Sequence, residues 1–314
     1  MATPSSKTKV SSQRHIIFYP KILSAIKDYT LQRFIKDLIA GIMVGIIAFP
    51  LSIAFGIASG VTPQQGLVTA VIAGFLISAL GGSRVQIGGP TGAFIVVVYG
   101  IVSQYGISGL TIATLLAGIM LILMGIFKLG NWIRFVPNPV VIGFTSGIAL
   151  VIFSSQMRDL LGLAIPSMPP HFVEQWAIIF HSLSTLNPYA VFLGALTIGI
   201  TLFLNRFFPK IPGIFVALLL TSFFAALFHF PIETIGSRFG AIDASFPIPH
   251  IPTVTFSAFR WLVIPALTIA LLGAIESLLS AVVADGMIGG KHRPNTELIA
   301  QGICLLYTSP SPRD

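Results

Sequence analysis

Glu276 is the single ionisable side chain between Leu262 and Ala284, inside an apolar stretch long enough to cross a bilayer. A charge at mid-bilayer costs about 2.5–3.5 kcal/mol on insertion scales, so such residues as a rule face an internal cavity and serve a function. Ser277 and Ser280 flank it, and Ser280 lies one helical turn on, placed to join an oxygen cluster on the same face. A cluster of that kind suits Na⁺ or a proton. The plainer alternative is a protonated carboxyl bonded to a neighbouring helix.

The run Gly88-Gly89-Pro90-Thr91-Gly92-Ala93 is a second candidate. Two glycines and a proline do not continue a helix, but proline is well suited to start one. The short apolar run that follows is therefore expected to be a half-helix beginning inside the membrane. Its first N–H groups and the positive end of its dipole favour an anion there, the logic of discontinuous-helix transporters. The plainer alternative is a reentrant turn or a proline kink. The preceding Arg84-Val85-Gln86-Ile87 is expected to cross as extended chain, which is tolerated only where protein buries it. Pro50 interrupts another apolar run and removes a helical hydrogen bond. Ser52 and Phe55 follow it, a hydroxyl and an aromatic edge that both suit an anion, although Phe55 taken alone equally suits packing.

The elements that hold these residues must be membrane helices. The chain is 54% hydrophobic and only 9% charged, with a mean hydropathy of +0.92. Soluble domains carry roughly 25% charged residues. A soluble enzyme, a disulfide scaffold and a disordered chain are excluded on these grounds. Eight spans are expected, at Leu38–Ser59, Gln65–Leu80, Pro90–Gln104, Leu110–Phe127, Pro139–Ser155, Pro188–Asn205, Ile211–Phe228 and Trp261–Asp285, with a ninth starting near Thr296. The stretches 156–187 and 229–260 are proline-rich, and short extended pieces or loops are expected there.

With the N-terminus cytoplasmic, fourteen basic residues fall inside. They include Lys21, Arg84, Lys128, Lys291 and Arg293, while only Arg158, Arg238 and Arg260 fall outside. That asymmetry supports both the orientation and the span count. It also explains the formal charge of +8 as membrane orientation, so no nucleic-acid partner is expected.

No cofactor is expected apart from Na⁺ or H⁺ as coupling ion, and no metal site apart from Na⁺ at Glu276. The six histidines lie in loops or at span ends, and a single cysteine, Cys304, allows neither an internal disulfide nor a thiol metal site. Asp285, Lys291, His292 and Arg293 form a turn expected to anchor the topology. No signal peptide is expected ahead of the first span, and a membrane enzyme is disfavoured because no paired catalytic set is present.

Four motifs in order resemble the sulfate permease (SulP) family of anion transporters: Phe49-Pro50-Leu51-Ser52-Ile53-Ala54-Phe55, Ile87-Gly88-Gly89-Pro90-Thr91-Gly92-Ala93-Phe94, Glu276-Ser277-Leu278-Leu279-Ser280-Ala281-Val282-Val283-Ala284-Asp285 and Asn295-Thr296-Glu297-Leu298-Ile299-Ala300-Gln301-Gly302. The resemblance covers about Phe34 to Ile303. It implies an all-α polytopic membrane protein of the bacterial inner membrane, the first half of a seven-plus-seven inverted repeat with discontinuous half-helices, followed in the family by a cytoplasmic STAS domain. It further implies an anion held between half-helices three and ten. Phe55, Thr91, Gly92 and Ala93 match the anion site, and Glu276 and Ser280 match the cation positions of sodium-coupled bicarbonate members. Some members carry Gln where this chain has Leu51, so no side-chain hydrogen bond carries over there.

The expected organisation is a cytoplasmic segment 1–37, a transmembrane domain 38–303 holding segments one to eight and the start of nine, and a tail 304–314. The tail, CLLYTSPSPRD, resembles a translated transposase sequencing adapter. On that expectation segment ten and the STAS domain lie outside these residues, and the fragment alone does not transport. The expected function is secondary transport of a small inorganic anion such as sulfate or bicarbonate, coupled to Na⁺ or H⁺. The lipid bilayer is the other expected partner, and the full-length protein is expected to be a homodimer. A nucleobase-type transporter of the same architecture and an anion channel are the alternatives.

Overall fold

A computed structural model describes residues 18–26, 29–89, 91–135, 138–166, 168–169, 172–208, 213–240 and 256–308. Among these the regular structure is entirely helical. A short α1 (Ile22–Ala25) precedes α2 (Leu31–Ala58) and α3 (Pro63–Leu80), and α4 is Ile95–Ile126. They are followed by α5 (Asn138–Leu161), α6 (Phe172–His181), α7 (Pro188–Phe207) and α8 (Gly213–Leu227), then α9 (Ile235–Phe239), α10 (Phe256–Ile288) and α11 (Pro294–Thr308).

Local chemistry sets the helix starts. The Thr30 hydroxyl accepts from the Arg33 amide ahead of α2, and Thr62 with Gln65 forms a reciprocal capping box ahead of α3, with Pro63 at the first position. The Asn187 side chain accepts from the Tyr189 amide at 3.0 Å ahead of α7, with Pro188 at the first position. Helix α2 runs through Pro50 without ending, and the Ser52 hydroxyl donates to the Ala48 carbonyl at 2.6 Å.

The third and fourth expected spans lie on one continuous helical run, α4, broken at Gly106, whose φ of 69° and ψ of −177° leave the helical region. Only glycine takes that conformation at low cost. The piece from Ile95 to the break is roughly 16 Å long at about 1.5 Å per residue, half of a ~30 Å hydrocarbon core.

Among the described residues, five helical stretches are individually long and apolar enough to span a membrane: Leu31–Ala58, Pro63–Leu80, Val97–Ile126, Pro188–Phe207 and Arg260–Ile288. Gly213–Leu227 is apolar but shorter. The chain is thus an all-α polytopic membrane protein. The wide exposed belts of Phe, Leu and Ile on α2, α7 and α8 are what such a protein turns to lipid.

The core lies where α4, α10 and α11 meet. Ala113, Ala117, Leu121, Leu262, Ala266, Ile269, Ala270 and Leu298 are almost wholly buried there. Small side chains permit this closeness, and one of the tightest points involves Gly118 and Gly302. A Cβ on Gly302 would lie 2.6 Å from the Gly118 carbonyl oxygen, and one on Gly118 would lie 2.8 Å from the Gly302 carbonyl oxygen. Membrane helices associate by such close packing, since lipid offers no hydrophobic drive between them. Helix α3 packs on α2 and α11, whereas α5 packs on α6 and α7, and α7 on α8. Helix α5 meets the first group at the turn ahead of α4, and α8 touches α2.

Residues 172–181 correct the expectation of loops or extended pieces outside the membrane. They form α6, and Trp176 and Ile179 pack against Leu163 and Ile165, while the buried Gln175 side chain donates to the Pro169 carbonyl at 2.9 Å. The prolines in the stretch mostly precede residue 172, and the apolar positions after it follow a helical period. Helix α9 is a second short helix in the other stretch. Pro247, Pro249 and Pro252, like Pro90 and residues 309–314, lie outside the described residues.

Candidate functional site

Thr91 is the hinge of the site. Its extended backbone (φ −131°, ψ 143°) ends the non-helical chain, and its hydroxyl accepts from the Ala93 amide at 3.2 Å, capping the 3₁₀ turn Gly92–Phe94 that leads into α4. The same hydroxyl donates to Oε1 of Glu276 on α10. A single side chain therefore joins the N-terminus of the half-helix to the lone intramembrane acid. The other carboxylate oxygen, Oε2, is buried and has no hydrogen-bond partner among the described residues. One oxygen is anchored and the other is unpartnered.

Gly92 is buried where three elements converge. A Cβ there would stand 2.7 Å from Ile152 on α5 and 3.7 Å from the tip of the Phe55 ring on α2. Phe55 and Thr91 line a cavity of 260 Å³, together with Ser52, Phe94, Thr111, Thr114 and Gln301. Glu276 does not line it and lies behind Thr91. Phe55 and Thr91 thus come together at the cavity, whereas Gly92 is packed between Ile152 and the Phe55 ring and is not part of its lining. The Ala93 amide is taken up by the Thr91 cap, so at this position the backbone donor is engaged.

Ser280 is placed differently from the expected cluster. Its hydroxyl donates to the Ser277 carbonyl at 2.9 Å and accepts from Gln86 Nε2 at 2.8 Å, with no hydrogen bond to Glu276. Helical spacing does put Ser280 near the same face as Glu276, but the Gln86 side chain from the extended segment takes its oxygen. Gln86 also donates to the Ser277 carbonyl at 3.1 Å and to the Ser277 hydroxyl at 3.2 Å, and its own Oε1 is buried without a partner among the described residues.

Glu297 is a second buried acid that sequence reasoning passed over as a functional group. It is fully buried, accepts from the Gly82 amide at 2.7 Å and takes the Ser277 hydroxyl at 3.2 Å. Ser277 thereby links Glu297 to Gln86, and Glu297 pins the chain between α3 and the half-helix to the start of α11. The available signal was its place in the Asn295–Gly302 motif.

The sulfate permease family profile matches residues 34–310. The chain belongs to the sulfate permease family. It is 49% identical to the putative sulfate transporter YvdB of Bacillus subtilis over 279 residues, covering 88% of this chain and 52% of that protein. It is 34% identical to the bicarbonate transporter BicA of Picosynechococcus over 283 residues, covering 87% of this chain and 50% of that protein. The chain thus spans about half the length of the curated relatives it matches. The transmembrane domain of a cyanobacterial BicA superposes with a TM-score of 0.73 at 29% identity, covering 90% of this chain and 74% of that one. SLC26A9 superposes with a TM-score of 0.68 at 18% identity, which shows a shared fold. The family consists of transporters rather than enzymes.

Proposed function

We propose that this chain carries one half of the substrate site of a secondary transporter for sulfate, bicarbonate or a related small inorganic anion, coupled to Na⁺ or H⁺. The observation that carries this reading is the Thr91 hydroxyl, which caps the half-helix and holds Glu276 while leaving Oε2 unpartnered. An anion at Gly92, against the Phe55 edge, meets the positive end of the half-helix dipole. Glu276 in its charged form repels that anion, so a cation or proton on Oε2 is what lets both occupy neighbouring positions. Coupling follows from electrostatics without a separate device.

In the proposed cycle the group formed by α2, α3, α4, α10 and α11 carries the site and moves against α5, α7 and α8. The packing of these helices into two groups supports that division. The N-terminus is proposed to be cytoplasmic, as the fourteen-to-three distribution of basic residues favours. Homodimerisation of the full-length protein, through segments or a STAS domain beyond these residues, is part of the proposal and is tested by mass measurement of the purified protein.

The decisive experiment is uptake of radiolabelled sulfate or bicarbonate into proteoliposomes under imposed Na⁺ and pH gradients. Glu276→Gln abolishes gradient-driven uptake on this reading, and undiminished coupled uptake by that variant overturns it. Competition by uracil but not by sulfate or bicarbonate would favour the nucleobase alternative. Both these 314 residues and the reading frame extended past codon 303 are assayed, and transport is expected of the extended protein alone.

A further inference from the structure

A second cavity, of 220 Å³, opens at the end of the molecule where the chain ahead of α2, the α3–α4 connection and the α10–α11 turn come together. It is lined by Lys21, Arg84, Asp285, Ile288, Gly290 and Lys291. These three cations come from segments far apart in sequence, and tertiary structure alone assembles them.

The walls are tied in place. The Lys21 ammonium donates to the Lys291 carbonyl at 2.8 Å, and the Lys21 amide donates to the Gly81 carbonyl at 2.9 Å. Arg293 is turned aside, bonded to the Tyr19 carbonyl at 3.0 Å with its guanidinium over the Tyr19 ring. Asp285, the one acid in the lining, is already occupied. Its Oδ2 accepts from the His292 amide at 2.8 Å and meets His292 Nδ1 at 2.6 Å. Among the described residues neither Arg84 nor Lys291 has an ion-pair partner. The cavity therefore holds three cations against one acid whose charge is shared with His292. Burial, and then the charges of Arg293 and Arg84, push the Lys21 ammonium below its usual pKa against the opposing pull of Asp285.

We propose that this cavity binds a phosphate-type oxyanion, separately from the midplane site, with Arg84 as a forked donor and Lys21 and Lys291 as point charges. A tetrahedral anion suits this lining, since it can take a forked pair of bonds from a guanidinium and single bonds from ammonium groups of other segments. A free ion and the headgroup of an anionic phospholipid share this chemistry. The position, among basic residues flanking membrane helices, is compatible with both. The site stands whether or not the transport reading holds.

The test uses the purified protein in a phosphate-free neutral detergent. In one arm inorganic phosphate is titrated while the unfolding midpoint is followed. In the other, native mass spectrometry compares retained phosphatidylglycerol with phosphatidylcholine. Loss of two charged donors in Arg84→Ala/Lys291→Ala is expected to weaken binding about 10-fold or more, whereas Lys36→Ala, outside the cavity lining, leaves it unchanged. Loss in the phosphate arm assigns a free ion, and loss confined to the lipid arm assigns a headgroup; both support the site. Should the double alanine variant fold poorly, Arg84→Gln/Lys291→Gln replaces it. Equal phosphate and lipid binding by wild type and double variant overturns the proposal. So does phosphate stabilisation that survives the double variant but disappears in Thr91→Val, which would place the ion at the midplane site instead.

Discussion

Neutralising Glu276 permanently should uncouple anion affinity from the cation. Thr91 touches both the carboxylate and the start of the half-helix, so an anion there would be separated from the Glu276 carboxylate by one threonine side chain, taken as about 5–6 Å for the Coulomb estimate. Two unit charges at that separation repel by about 3 kcal/mol at an effective dielectric near 20, or roughly 150-fold in affinity. Wild-type protein should therefore bind sulfate or bicarbonate roughly two orders of magnitude more tightly at saturating coupling cation than without it. The Glu276→Gln variant keeps an acceptor for the Thr91 hydroxyl and removes the charge. Its affinity should sit near the cation-saturated value whatever the Na⁺ concentration or pH. Equilibrium binding of radiolabelled anion to detergent-solubilised protein, across a grid of Na⁺ concentration and pH, measures this directly. An affinity of the variant that still climbs with Na⁺ or acid would refute the electrostatic account, as would a wild-type affinity indifferent to both.

Thr91→Val removes the cap and the donor to Glu276 together, about 1 kcal/mol for the cap and 1.5–3 kcal/mol for a hydrogen bond to a charged group. Its uptake KM should rise by at least about ten-fold, while Thr91→Ser stays near wild type. Glu297→Ala leaves the Gly82 amide buried without an acceptor, which costs about 1–3 kcal/mol, so its thermal midpoint in detergent should fall clearly below wild type. Gly302→Ala forces a Cβ against the Gly118 carbonyl, and overpacking of this kind costs about 1–3 kcal/mol. Gly41→Ala, with open space around it, should not move the midpoint in the same assay.

The residues differ in how visible they were before folding. Glu276 was legible because an acid in a long apolar stretch violates the pattern around it. The half-helix was legible because Gly88, Gly89 and Pro90 exclude helix continuation. Glu297 was not, since an acid in the first turn of a helix is ordinarily a solvated dipole partner. Its burial comes from α11 docking onto α3 and α4. Nor was Gln86, because an amide in a short polar connection gives no periodic signal. Its bonds to Ser277 and Ser280 span 191 and 194 residues of sequence.

Membrane residence, the all-helical class and the lone acid followed from sequence alone, because hydrocarbon penalises each polar group locally, one residue at a time. Tertiary structure decided which oxygen of Glu276 is held, that Gln86 takes Ser280 away from it, and that Lys21, Arg84 and Lys291 share one cavity. Such pairings depend on the directions in which distant helices meet, and hydropathy along a single segment carries no record of direction.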